Sequence, residues 1–215
     1  MFKNILKLCL LTHCSPHNYF TNYNEFILLA IKGGVTSIQL RDKTSSYESL
    51  RTKALKLQTL LKPLNIPLII NDNVQLAKEI DADGVHLGQK DSSPEDARAI
   101  LGENKIIGWS IETMEQLQIA NQSNAINYIA ASAVFSSHNK KNCNTIWGLD
   151  GLKAVSQNSL HPVVAIGGIN IDNVEKVITQ GAAGIAVISA LHDHPDPEFT
   201  AKQLSLKINA GLSYV

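Results

Sequence analysis

Eight short apolar runs, most of them separated by amphipathic stretches of helical spacing, predict a single (β/α)8 TIM barrel over residues 1–215. Two further observations support it. The runs are continuously hydrophobic rather than alternating, which suits parallel strands covered by helices. Most also finish in polar or glycine residues, and in a barrel those ends converge on the face that carries active sites. A doubly wound open sheet is the alternative assembly of the same units. The length suits one barrel, and no linker, low-complexity tract or second domain interrupts it.

The predicted strands are LCLLTH (8–13), SIQLRD (37–42), PLIIND (67–72), GVHLGQ (84–89), KIIGWS (105–110), YIAASAVF (128–135), PVVAIGG (162–168) and GIAVIS (184–189). Between them, 23–32, 47–61, 74–79, 94–101, 114–121, 151–157, 171–180 and 197–209 read as helices. Ser92-Ser93-Pro94-Glu95 places proline in a first turn, and Asn170 precedes the helix after the seventh strand. Gly33-Gly34 and Gly181 fall where helices should stop.

Composition narrows the partners. Lys plus Arg equals Asp plus Glu, 19 each, so nothing in the charge balance points to nucleic acid or an anionic membrane. Cys9, Cys14 and Cys143 show no zinc-like spacing and read as reduced thiols of a cytoplasmic protein. MFKNILKLCLLTHCSPH has a short apolar run without a small-residue cleavage site, so it reads as the first strand rather than a signal peptide. No stretch approaches the ~18 apolar residues of a membrane span. A homo-oligomer is compatible with the helical exterior, which offers several contact faces.

The polar strand ends carry the chemistry. Asp72 ends the third strand and Asp91 follows the fourth in GQKD. Adjacent parallel strands lie about 4.8 Å apart, so the two carboxylates can share a hard cation. Two carboxylates, with water and phosphate oxygens completing the shell, is the usual mode for Mg²⁺. Arg41 and Lys43 at the second strand, joined by Lys140 after the sixth, suit a small polyanionic ligand such as a diphosphate. AIGGIN (165–170) and AVISA (186–190) supply a second anion site, where glycine lets a phosphate reach the backbone.

Other residues read as structural. By alternation His86 packs within the barrel as a satisfied core histidine, and His192 and His194 in HDHPDP lie in a solvated loop. Trp147 is either a packed loop anchor or a cover over substrate, and 136–145 is the candidate lid because it is polar and carries Lys140.

QLRDK (39–43), LIINDN (68–73), ADGVHLGQKD (82–91), the serine of IIGWS (106–110), VFSSHNK (134–140), WGLDGL (147–152), VVAIGGI (163–169) and GIAVIS (184–189) together resemble the thiamine phosphate synthase family, in order and over almost the whole chain. The resemblance implies a barrel transferase in which hydroxymethylpyrimidine diphosphate loses pyrophosphate as the nitrogen of a thiazole phosphate takes its methylene carbon. It implies that Gln39, Leu40, Arg41, Asp42, Lys43, Asn71, Ser110 and Lys140 contact the pyrimidine diphosphate, with Arg41, Lys43 and Lys140 acting in catalysis. Asp72 and Asp91 would hold Mg²⁺, and Ser137, His138, Asn139, Gly168, Ile188 and Ser189 would receive the thiazole phosphate.

Two departures stand out. SAVFSSHNK (132–140) replaces a family pattern near GPVFPT.TK, keeping one hydroxyl in Ser137 and substituting an amide in Asn139. Glu112 in WSIET stands where the family often has histidine. That histidine is the expected acid/base group of the related TenI-type thiazole tautomerases, so its absence argues against that activity. A thiamine-phosphate-binding relative without turnover is the remaining alternative.

Overall fold

The computed structural model of the chain describes residues 2–12, 22–136 and 145–214. The elements run α1 (Phe2–Ile5), β1 (Leu8–Leu11), α2 (Tyr23–Gly33), β2 (Ser37–Leu40), α3 (Tyr47–Leu61), a 3₁₀ turn (Lys62–Leu64), β3 (Leu68–Asn71), α4 (Val74–Glu79) and β4 (Gly84–Leu87). They continue as α5 (Pro94–Leu101), β5 (Ile106–Ile111), α6 (Met114–Gln122), β6 (Tyr128–Ser132), α7 (Gly148–Asn158), β7 (Val163–Ile166), α8 (Val174–Thr179), β8 (Gly184–Val187), α9 (Ser189–His192) and α10 (Pro197–Leu212). All eight strands pair in parallel with their sequence neighbours, and β1 pairs with β8. The sheet is therefore a closed barrel, and the open-sheet alternative is excluded.

Local chemistry sets the boundaries. Asn22, Ser46, Asn73, Ser93, Thr113 and Asp196 each cap a helix by accepting a hydrogen bond from a first-turn N–H. Gly34 ends α2 at φ 118°, in the left-handed region. The helix expected from residue 171 begins instead at Val174, because Asn170 and Asn173 fold the intervening residues into a turn. Ahead of the first strand, expected over 8–13 and found at Leu8–Leu11, the chain makes the single turn α1. Its Ile5 and Leu6 then close the bottom of the barrel.

The core is divided unequally. Apolar side chains of all the strands meet the helices in one large outer cluster, which includes Leu8, Ile38, Ile70, Val85, Ile107, Ile129, Val163 and Ile185. Inside the barrel, the apolar cluster is confined to Leu6, Cys9, Leu11, Tyr128, Val164 and Ala186 with four partly buried isoleucines. Such interiors are ordinarily filled by layers of bulky branched residues. Here Ser37, Gln39, His86 and Ser132 are buried at interior positions instead. The short polar residues leave room for a cavity.

The barrel seam depends on close backbone approach. A Cβ at Gly184 would lie 1.9 Å from the Leu6 carbonyl oxygen, and neither backbone can retreat without opening the β1–β8 pairing. Gly184→Ala should therefore lower stability by about 3 kcal/mol, the upper end of ordinary overpacking. Urea unfolding with a midpoint unchanged from the parent would refute this account of the seam.

Candidate active site

A cavity of about 450 Å³ runs down the barrel axis from the C-terminal strand ends to Ile5 and Leu6, within the range for small-molecule sites. Arg41, Lys43, Asn71, Asp72, Gln89, Lys90, Asp91 and Glu112 line its mouth; Gln39, His86, Ser110, Tyr128 and Ser132 line its wall. The cavity thus brings together residues from β2, β3, β4 and β5 that are far apart in the sequence.

The β2 end is built by two supports. Thr12 receives the Arg41 N–H at 2.9 Å on its hydroxyl and donates to the Arg41 carbonyl at 3.2 Å, tying the strand end to β1. Just beyond, the Asp42 carboxylate accepts from the Thr44 and Ser45 N–H groups, from both of their hydroxyls, and from Lys53 Nζ at 2.6 Å. Burial alone would raise the Asp42 pKa, but Lys53, Ser45 and the backbone donors outweigh it and hold the carboxyl far below its ordinary range. Asp42 is thereby committed to its own loop, and it places Arg41 and Lys43 on either side. Leu40 packs into the outer core. Neither Leu40 nor Asp42 lines the cavity with its side chain.

Gln39 Nε2 donates to Asn71 Oδ1 at 2.6 Å. That bond fixes the polarity of both amides, leaving the Gln39 oxygen as acceptor and the Asn71 nitrogen as donor toward the cavity.

Asp72 and Asp91 meet at the mouth. Asp72 has φ 65°, in the left-handed region, where aspartate is tolerated at a cost on the order of 1 kcal/mol. Its N–H donates to the His86 carbonyl at 2.8 Å, which anchors the turn. Asp91 is aimed by the 88–91 turn, with its Oδ2 accepting from the Gly88 N–H at 2.7 Å. The two carboxyls lie close enough to interact, and Lys43 Nζ stands 3.3 Å from Asp72 Oδ2. Burial first, then Asp91, raises the Asp72 pKa, with Lys43 acting against them. A half-buried carboxylate pressed against a second one, with the flexible Lys43 ammonium as its ion-pair partner, is a donor set suited to a hard divalent cation. Among the described residues no group of three or more His, Cys, Asp or Glu forms a fuller metal cage.

Deeper in, His86 is buried as expected, and both its ring nitrogens are engaged: Nδ1 lies 2.9 Å from Tyr128 Oη and Nε2 lies 2.8 Å from Ser110 Oγ. Gln89 Nε2 donates to the Ser110 carbonyl at 2.7 Å.

On the opposite side of the mouth, Gly167 and Gly168 follow β7 at φ 105° and 64°. A Cβ at Gly168 would sit 2.7 Å from both the Phe135 Cβ and the Ser136 carbonyl oxygen, so glycine permits the 133–136 segment to lie against this turn. Ile188 packs against the interior cluster and Ser189 opens α9. Gly168, Ile188 and Ser189 stand at the strand ends outside the cavity lining. Ser137, His138, Asn139 and Lys140 lie outside the described residues, as does most of the expected lid.

Trp147 is partly buried against the outer core, directly before α7 and over Gly151, as a packed anchor. His194 is half-buried and turned onto Asp196. His192 corrects the expectation of a solvated loop. It is 2% exposed, sits 4.6 Å in ring centroid from Phe26 and directs Nε2 to the Leu11 carbonyl at 3.0 Å. The reason is α9, a turn too short to show periodicity, which turns His192 back onto α2 while Asp193, Pro195 and Asp196 stay exposed.

Sequence reasoning passed over Thr12, Lys53, Tyr128 and Lys90. Lys90 stood in GQKD beside Asp91 and could have been read as a mouth residue. The other three act through partners 29, 11 and 42 positions away, and no local signal reveals such pairings.

The sequence model described as thiamine monophosphate synthase matches residues 8–191. A thiamine-phosphate synthase of Chlamydia abortus is 42% identical over 212 residues, covering 99% of each chain. One from Vibrio campbellii is 43% identical over 175 residues, covering 81% of this chain and 85% of that one. Among solved structures, a thiamine phosphate pyrophosphorylase from Pyrococcus furiosus superposes with TM-score 0.87 at 32% identity, over 99% of this chain and 100% of the other.

The Asp72 arrangement has a measurable signature. Because its folded pKa is raised, the folded state binds that proton more tightly than the unfolded chain does. Without added divalent cation, the Asp72 contribution to stability is fully present below the ordinary carboxylate range and should fall away as pH rises through the folded Asp72 pKa. Asp72→Asn, which keeps a residue tolerant of positive φ, should remove that fall and raise Tm at pH 7 by about 2 °C. A lower Tm in the variant at neutral pH would contradict the assignment.

Proposed function

We propose, from the premise that this chain belongs to the thiamine monophosphate synthase family, that its transferase reaction runs in the cavity between the β2, β3, β4 and β5 strand ends. The substrates are hydroxymethylpyrimidine diphosphate and a thiazole phosphate or its carboxylated form; the products are thiamine phosphate and pyrophosphate, with carbon dioxide released as well from the carboxylated form. The observation that carries the reading is the contact between the Asp72 and Asp91 carboxyls at a mouth also lined by Arg41, Lys43 and Lys90.

Asp72 and Asp91 would hold Mg²⁺, which supplies positive charge to a bound diphosphate. Arg41 offers forked donors to the phosphoryl oxygens and Lys43 a movable point charge. Lys140, from the loop after β6, completes this set in the proposal. Gln39 and Asn71 present an acceptor and a donor of fixed polarity, the pattern that an amino group beside a ring nitrogen requires. Ser110 reaches the same ligand from β5. The bond from the methylene carbon to the diphosphate oxygen breaks with its electron pair leaving on pyrophosphate, and the thiazole nitrogen lone pair forms the new C–N bond. Donors already aimed at the departing oxygens stabilise that charge without reorganisation, and one cavity holding both partners adds proximity. Gly168, Ile188 and Ser189, with Ser137, His138 and Asn139, would receive the thiazole phosphate.

Small phosphorylated substrates are the partners in this reading. A cytoplasmic location is supported by Cys9, a buried free thiol, and among the described residues no helix is long and apolar enough to cross a membrane. Exposed Leu28 on α2 and Phe199 on α10 are compatible with a homo-oligomer.

Pyrophosphate release tests the reading directly. It should require both substrates together with Mg²⁺, and Asp72→Ala or Asp91→Ala should lower kcat by at least about 100-fold. Near-parental rates in both variants would remove the metal assignment. Isomerisation of thiazole carboxylate phosphate without consumption of the pyrimidine would identify a tautomerase instead, and product binding without turnover would identify a binding protein.

A further inference from the structure

His86, Gly108 and Tyr128 occupy one layer of the barrel wall. His86 pairs in register with Gly108, and Gly108 with Tyr128, so the histidine and tyrosine stand on strands separated by a third. Their side chains nevertheless meet, because the middle position has none. A Cβ at Gly108 would fall 2.4 Å from Tyr128 Oη and 2.5 Å from His86 Nδ1. The glycine is the gap through which the pair forms. The rings lie 5.5 Å apart between centroids, Oη is 2.9 Å from Nδ1, and both residues are at least nine-tenths buried. The other ring nitrogen lies 2.8 Å from Ser110 Oγ, at the cavity wall.

Polar satisfaction gives this chain a direction. Burial pushes the Tyr128 pKa well above its ordinary value, so the phenol keeps its proton. A buried O–H left without an acceptor is costly, and among the described residues His86 Nδ1 is the acceptor within reach. If Nδ1 bore the hydrogen, two donors would face each other or the phenol would be stranded. With Nδ1 accepting, a neutral imidazole carries its hydrogen on Nε2, which faces Ser110 Oγ.

We propose that His86 is a positioning residue that makes Ser110 a one-way donor: Tyr128 sets the Nε2–H tautomer, Nε2–H occupies a lone pair of Ser110, and the serine hydrogen is turned into the cavity. The ligand atom at that position must then be an acceptor, such as a phosphoryl oxygen or a ring nitrogen. The proposal rests on the assignment of Ser110 to the pyrimidine diphosphate, but the state of His86 in the free protein does not.

Nitrogen-15 NMR of histidine-labelled protein, with His86 identified by its loss in His86→Gln, reads that state. The expected signature is an unprotonated Nδ1 and a protonated Nε2 in the parent, shifting toward a tautomer mixture in Tyr128→Phe, which keeps the ring and its packing. A parent with Nδ1–H, or with an imidazolium, overturns the proposal whether or not the protein turns over substrate. In steady-state assays Tyr128→Phe should reduce kcat by roughly 3- to 10-fold, the worth of one hydrogen bond, with KM for the thiazole phosphate unchanged. His86→Gln, whose amide N–H can replace Nε2–H toward Ser110, should retain about 10-fold more activity than His86→Leu. In a Ser110→Ala background the Tyr128→Phe effect should vanish. A tyrosine effect undiminished by loss of the serine would show a role in packing only and refute the relay.

Discussion

Holding two carboxylates together at the end of a barrel is the constraint on which this site depends. Like charges in contact repel, and partial burial of Asp72 removes much of the water that would screen them. The pair persists because its geometry is over-determined. Asp72 is pinned in a left-handed turn by its N–H bond to the His86 carbonyl, and Asp91 is pinned by the Gly88 N–H. With both carboxyls held at the mouth, their repulsion is relieved by proton uptake, as the raised Asp72 pKa indicates, or by association with a cation. The surrounding Arg41, Lys43 and Lys90 are flexible and exposed to differing degrees, so they answer that need only in part.

The interior serves the same end by being poorly filled. Hydrophobic stabilisation is concentrated outside the sheet, where strands meet helices, while the axis carries small and polar residues. Serine, glutamine, asparagine and histidine contribute little to folding at those positions, but each has its hydrogen-bond partner within the wall. Asp42 illustrates the division of labour. It belongs to the segment whose neighbours face the ligand, yet its carboxylate is turned inward to five donors that hold the loop.

Much of this architecture was legible in the sequence, for identifiable reasons. Parallel strands buried on both faces leave continuous apolar runs, and helices with serine, threonine or asparagine caps leave sharp starts, so 47–61, 74–79 and 94–101 were read to the residue. Polar strand ends announced the mouth, and the closeness of Asp72 to Asp91 followed from strand adjacency. What escaped notice depended on distance in the chain or on shortness of an element. The turn that buries His192 spans four residues, and a single turn carries no amphipathic signature. Thr12 and Lys53 matter only through where the barrel brings them. His86 was correctly expected to be a buried histidine. That it links a tyrosine to a serine across an empty position required coordinates.

Because β1 is hydrogen-bonded to β8, one of its two strand neighbours is synthesised long after it. At ordinary synthesis rates of about 5–20 residues per second, on the order of ten seconds or more separates their appearance. During that interval the outer edge of β1, with its unpaired amides and carbonyls, is an open template for intermolecular pairing. The growing chain is therefore vulnerable along β1 until β8 pairs with that edge, and α10 packs beside α2 on the outside of the closed barrel.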